Sequence, residues 1–207
     1  MIVTISRQAS SRGEQVAQQV AQTLGVPLVD PETVHRAAVR IDLPRENLAD
    51  PQRADRLGER LAQITLLLAS EPAEDPGWAL TPIPTMDDPG YRRAVEKMLR
   101  VLGEAESVVI AGFPAQVVLA RTAGAVHALV VAPFPLRVQR MVLREDLPFR
   151  TAGRVLRDAD RERAEFYRRH YSAGWDEATL YDCVINTGRL GVAHSAAAIL
   201  ALVGGRS

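Results

Sequence analysis

The chain has 207 residues, 47% hydrophobic and 24% charged, with 25 basic and 25 acidic side chains and a formal net charge of zero. That size suits one domain of moderate size, and the balanced charge supplies no field to draw the protein to nucleic acid or a membrane surface. A single cysteine, Cys183, excludes an internal disulfide and a cysteine-only metal cluster, and fits a reducing cytoplasm.

The opening residues MIVTIS lack the basic-then-apolar layout of a signal peptide. No apolar run is expected to reach the ~20 residues that span a bilayer. Ile2 to Ser6 alternates apolar and polar residues and predicts a first strand. Ser10 to Gly13 reads as loop. From Glu14 onward Val16, Ala17, Val20, Ala21 and Leu24 fall at helical spacing until Gly25 stops the helix. VPLVD predicts a short second strand ending at Asp30, and PETVHRAAVR a helix that opens on proline and acid.

Residues 42 to 70 read as mostly helical, with Leu57, Leu61, Ile64, Leu67 and Leu68 along one face. That apolar helix suits packing within the domain or against a second subunit of a homodimer. The proline-, glycine- and acid-rich stretch from Ser70 to Tyr91 reads as a long loop, the kind used as a lid or substrate cover. A helix from Tyr91 to Gly103 leads into SVVIAGFPA, a strand buried on both faces, and VHALVVAPF predicts a second. The helix PLRVQRMVLRE, a long arginine-laden helical stretch, the strand YDCVINTG and the helix VAHSAAAILALV complete the chain. Strands alternating with helices predict an α/β fold with a parallel sheet covered on both faces.

Two stretches carry chemistry. The strand that turns through Ser10, Ser11, Arg12 and Gly13 into a helix aims main-chain N–H groups at one spot, where the helix dipole adds about half a positive charge. Of the strict phosphate-loop pattern only Gly13 is present: Glu14 takes the lysine position and Gln15 the Ser/Thr position. An ordinary strand–loop–helix fits the same residues. Arg7 and Arg12 flank the loop and offer the missing cation, and Ser10 and Ser11 offer hydroxyls to a phosphate or a magnesium ion. Lys97 is the only lysine, so every other cation is arginine. A general bias towards arginine accounts for this, although the arginine fork also suits phosphate.

RVLRDADRERAEFYRRHY is the second stretch. It reads either as a solvated helix with ion pairs such as Asp158–Arg161 and Asp160–Arg163, or as a lid whose guanidinium groups close over a transferring phosphoryl group.

In their order along the chain, these segments resemble the cytidylate-kinase-like family of nucleoside monophosphate kinase relatives. ITISRQASSRGEQVAQQVAQTLGVPLVD is similar to its opening strand, loop, helix and second strand, and SVVIAGFPA to its V-I-x-G-R-G-A strand end. APFPLRVQRMVLRE is similar to its A-P-x-x-x-R-x-x-R segment, RDADRERAEFY to its D-x-x-R-A-x-Y lid, and YDCVINTGRLG to its terminal strand.

The resemblance implies a three-layer P-loop kinase-like fold with a mostly parallel five-stranded sheet. It implies one domain with its core at 1–39 and 92–207, an acceptor cover at about 40–91 and a lid at about 148–172. It further implies ATP with Mg2+ as donor and a small-molecule nucleotide as acceptor. Ser10, Ser11, Arg12, Gly13, Glu14 and Gln15 would hold the donor phosphates, with Asn186 and Thr187 near the donor base. Asp30, Arg36, Arg40 and Gly112 would face the acceptor. Arg157, Asp160, Arg161 and Arg163 would form the catalytic lid, with Arg157 and Arg163 on the phosphates.

The sequence also departs from the family. Ser10 and Arg12 replace loop glycines, and Phe113 and Pro114 stand where members carry Arg and Gly. A catalytically silent module that binds a nucleotide, an anion or a protein partner, or a phosphate-loop relative with another donor, is the competing expectation. No histidines and carboxylates share a metal-ligand spacing. His35, His127, His170 and His194 read as surface or strand-end residues, and Trp78 and Trp175 as base covers or loop anchors.

Overall fold

The computed structural model describes residues 1–42, 50–69, 85–105 and 107–205. Strands β1 (Ile2–Arg7), β2 (Leu28–Val29), β3 (Val108–Ala111), β4 (Val126–Val131) and β5 (Cys183–Asn186) are parallel throughout, in the order β2-β3-β1-β4-β5. The helices are α1 (Gly13–Leu24), α2 (Pro31–Arg40), α3 (Pro51–Ala69), α4 (Pro89–Ala105), α5 (Ala115–Val118), α6 (Phe134–Glu145), α7 (Phe149–Tyr171) and α8 (Thr187–Gly204).

The apolar runs of the central strands follow from burial on two faces. Successive residues feed opposite cores. Val3, Ile5, Val109, Ala128 and Val130 pack under α1 and α8, while Ile2, Val108 and Ile110 pack under α2, α3 and α4. Such three-layer sheets bind ligands beyond the carboxyl ends of their strands, and here the β1–α1 turn lies at that edge, flanked by β3 and β4.

Local chemistry sets the helix ends. Asp30 caps α2, its Oδ1 accepting from the Thr33 amide at 2.9 Å and the Thr33 hydroxyl at 2.8 Å. Asp88 Oδ1 accepts from the Tyr91 amide at 2.8 Å, so α4 begins at Pro89, two residues before its predicted start. The proline and acids taken for a loop are a cap and a first turn. The apolar face of α3 is buried within the domain: Leu61 and Leu68 pack with Val95, Met98 and Leu99 of α4. Leu67, expected on that face, is exposed. Residues 43–49 and residues 70–84 of the predicted loop, with Trp78, lie outside the described residues.

Contrary to the expectation from the apolar runs, α8 is long and apolar enough to cross a membrane, with a mean hydropathy of 1.3. Gly191 breaks it (φ 69°, ψ −176°), and Ser195, Ala196, Ile199 and Val203 are buried, the last three of them in the core shared with α1 and the sheet.

Gly58 is the closest approach of α3 to α4: a Cβ there would lie 2.5 Å from the Ala94 carbonyl oxygen and 2.6 Å from the Lys97 Cβ. A backbone atom cannot yield as a flexible side chain does. Gly58→Leu gains about 1 kcal/mol of helix propensity but forces the helices apart, so a net loss of about 2 kcal/mol is expected in urea denaturation. Unchanged stability would contradict this packing.

Candidate functional site

The loop between β1 and α1 is held from outside by its carbonyls. Arg137 Nη1 donates to the Ala9 carbonyl at 3.4 Å, Arg140 Nη1 donates to that of Ser10 at 3.4 Å, and the Thr187 hydroxyl donates to that of Ser11. Because the peptide unit is planar and trans, carbonyls drawn outward turn the Ser10 and Arg12 amides the other way. The Ser11 amide closes the turn on the Gln8 carbonyl at 3.1 Å. The N-cap residue Arg12 makes no side-chain cap on α1; within the first turn the Glu14 amide is engaged by its own carboxylate, and the neighbouring amides are donors of the kind a helix start presents.

Ser10 (φ 59°) and Arg12 (φ 65°) both adopt the left-handed conformation. For side-chain-bearing residues this costs on the order of 1–2 kcal/mol each, which the anchored carbonyls offset. The loop therefore keeps a glycine-like path although two glycines are gone. The Ser10 and Ser11 hydroxyl oxygens are buried and have no hydrogen-bond partner, an arrangement that suits an oxygen-rich anion or its metal.

Arg7, the last residue of β1, runs across this loop. A Cβ on Gly13 would lie 2.5 Å from the Arg7 Cβ, and one on Gly112 (φ 84°) only 2.4 Å from Arg7 Nη1. A side chain at Gly13 would therefore collide with the stem of Arg7, whereas one at Gly112 would displace its guanidinium tip. Arg7 Nε lies 2.7 Å from Glu14 Oε1. Partial burial pushes the Glu14 carboxyl up, but the attraction of the Arg7 guanidinium outweighs it, leaving the group below its ordinary 4.5.

Helix α7, which holds most of the predicted lid, brings a second cation beside Arg7. Arg163 donates to the Arg7 carbonyl, and its guanidinium stacks on Trp175 at 5.2 Å. Burial and the nearby Arg7 push its pKa down. The spacing-based pair Asp160–Arg163 does not form. Asp160 instead takes both Nη atoms of Arg137, at 3.1 and 2.7 Å, and the Arg137 side chain is only 4% exposed. This forked pair ties the lid to α6 and the loop together.

The remaining predicted lid residues diverge. Arg161 pairs with Asp158 on the solvent face, as the spacing suggested, and Arg157 lies over the Phe134 ring at 5.4 Å.

Two cavities lie by the Arg7–Glu14 pair, one lined by each partner. One of about 560 Å³ lies between the strand ends, α2, α4 and the lid, and includes Arg7, Arg163, Gly112, Phe113, Tyr91 and Trp175 in its lining. Burial raises the Tyr91 pKa to about 12, so this phenol stays neutral. A groove of about 510 Å³ on the other side is lined by Ser10, Arg12, Glu14, Gln15, Arg140 and Arg144 among others.

Among the predicted acceptor residues, Gly112 lines the first cavity. Asp30 is engaged as a helix cap, Arg36 is half-buried outside the lining, and Arg40 is exposed. His35, which lines the cavity, was set aside in the sequence reading. Asn186 caps α8 through the Gly188 amide at 2.9 Å, and Thr187 grips the loop backbone. Arg137 and Arg140 had no assigned role, although they are the two arginines of the R-x-x-R spacing and share one face of α6.

A model of the cytidylate kinase-like family matches residues 2–189. A cytidylate kinase from Methanothermobacter thermautotrophicus is 25% identical over 190 residues, covering 91% of this chain and 96% of that protein. An uncharacterized protein from Eubacterium ventriosum has a similar structure, with a TM-score of 0.68 at 18% identity over 100% of this chain and 99% of that one. Shikimate kinase from Bacteroides thetaiotaomicron follows at a TM-score of 0.54 and 13% identity, over 99% and 98% of the two chains. These two structural likenesses bear on the fold alone.

The Arg7–Glu14 pair has a testable pH signature. Because the Glu14 pKa is lowered on folding, its contribution is fully present above the ordinary 4.5 and is lost as pH falls through the folded value. Melting curves of the protein and Glu14→Gln should differ most at neutral pH and converge in acid. A gap that widens in acid would contradict the pairing.

Proposed function

The chain belongs to the cytidylate kinase-like family, and from that premise we propose that it transfers the γ-phosphoryl group of ATP, with magnesium, to a nucleoside monophosphate or a similar small acceptor. The observation that carries this reading is the meeting of Arg163, from the lid, with Arg7, from the end of β1, in the cavity beside the loop. Two guanidinium groups held close together repel, and an anion between them relieves that repulsion. Phosphoryl transfer demands such a place: the bond from phosphorus to the ADP oxygen breaks as one to an acceptor oxygen forms, and ADP leaves with the electron pair. Positioning and charge stabilisation then carry the rate.

On this reading the amides and hydroxyls of Ser10 to Gln15 hold the donor phosphates. Magnesium, when bound, would neutralise phosphate charge, and the unpartnered Ser10 and Ser11 oxygens fit such an oxygen-seeking ion. Thr187 and Arg140 keep the loop in shape. Arg163 reaches the transferring group, and Asp160 acts through Arg137 to hold the lid. The aromatic walls of the acceptor cavity suit a planar body and exclude water. An ATP donor and a lone thiol both suit the cytoplasm.

Phe113, in the place of a family arginine, favours a second reading: a module that binds nucleotide without turnover. ADP release measured across nucleoside monophosphates separates the two. Turnover should be detectable and should fall about 10²–10³-fold in Arg163→Ala, at an unchanged fold. Background turnover with every acceptor, alongside nucleotide-dependent rises in melting temperature, would instead establish the binding module.

A further inference from the structure

Glu14 occupies the position from which a lysine usually reaches the donor phosphates, and its carboxylate points to Arg7. We infer that Arg7 is the cation that replaces this lysine, contacting the β- and γ-phosphates of a bound nucleoside triphosphate from the end of β1. The inference rests on the kinase reading and names the residue that grips the donor.

Three features support it. Arg7 lines the acceptor cavity while its partner Glu14 lines the donor groove, so the side chain bridges the boundary that a transferring group must cross. The contact with Glu14 is made through Nε, and Nη1 extends to the Gly112 turn at the end of β3. The fork is thus directed into the cavity rather than back along the helix, which suits a two-point contact with phosphate oxygens. Gly13 and Gly112 lie under the two ends of the side chain, where any Cβ would collide with it.

Arg12, the other flanking cation, is exposed and in a left-handed conformation at the helix start. It lines only the donor groove of the two, without reaching the acceptor cavity. Arg163 donates to the Arg7 main chain and so does not compete for the Arg7 guanidinium, whose Nε faces Glu14. Glu14 is a positioning residue: it orients Arg7 and offsets one of two neighbouring cations until an anion arrives.

Calorimetric titration with AMP and with adenosine 5′-(β,γ-imido)triphosphate tests this without turnover. The protein should prefer the triphosphate. In Arg7→Met, which keeps the side-chain volume, that preference should fall about tenfold to hundredfold, triphosphate affinity dropping well beyond any loss of AMP affinity, as expected for loss of charge-assisted hydrogen bonds. Adding Glu14→Lys to Arg7→Met returns a lysine to its usual place and should recover most of the preference. Arg7→Lys, which retains the charge and the Glu14 contact, covers the case in which Arg7→Met does not fold. A point charge on a shorter stem should lower the preference several-fold at an unchanged melting temperature. A triphosphate preference unaltered in Arg7→Met, or in Arg7→Lys if that variant must serve, would overturn the role of Arg7 and leave the kinase reading standing. No binding of either nucleotide by the unaltered protein would overturn both.

Discussion

Three consecutive carbonyls, those of Ala9, Ser10 and Ser11, are drawn outward by Arg137, Arg140 and Thr187. The candidate site depends on that constraint. A loop with two non-glycine residues in left-handed conformation would relax towards an ordinary turn if left alone, because each such residue is strained. The anchors come from α6 and from the start of α8, elements far apart in sequence, so the loop's shape is a tertiary property. Arg137 also joins Asp160 of the lid, and the same side chain therefore couples loop geometry to lid position.

Arginine side chains hold the loop where a strict phosphate loop relies on glycine, and on the proposed reading an arginine also stands in for its lysine. Glycine permits the turn by conformational freedom, whereas here guanidinium anchors hold it. Lysine supplies a point charge from the helix. On the proposed reading Arg7 would supply a fork from the strand, its stem passing over Gly13, where a Cβ would collide with the Arg7 Cβ. Sequence conservation of a loop pattern is thus a poor guide to whether its geometry is present.

Much of the architecture was legible. The alternating and continuous apolar segments marked β1, β3 and β4, because burial on both faces imposes composition directly. The order of five family-like segments pointed to the fold. The partners were not legible. Spacing on α7 suggested Asp160 with Arg163, but helical periodicity says only that two residues are neighbours, not that a third helix offers a better fork. Arg137 and Arg140 stood in a recognisable R-x-x-R spacing, yet nothing local reveals that they meet carbonyls about 130 residues away. Likewise the acids and proline before α4 resembled a loop because helix caps and turns draw on the same residues.

A crystal structure with a non-hydrolysable ATP analogue tests the central claim most directly. The account predicts β- and γ-phosphates within hydrogen-bond distance of the main-chain amides between Ser11 and Gln15, with Arg7 and Arg163 converging on the γ-phosphate. An analogue bound elsewhere, or a loop whose amides are closed off by the Glu14 carboxylate while both arginines turn from the cavity, would contradict it.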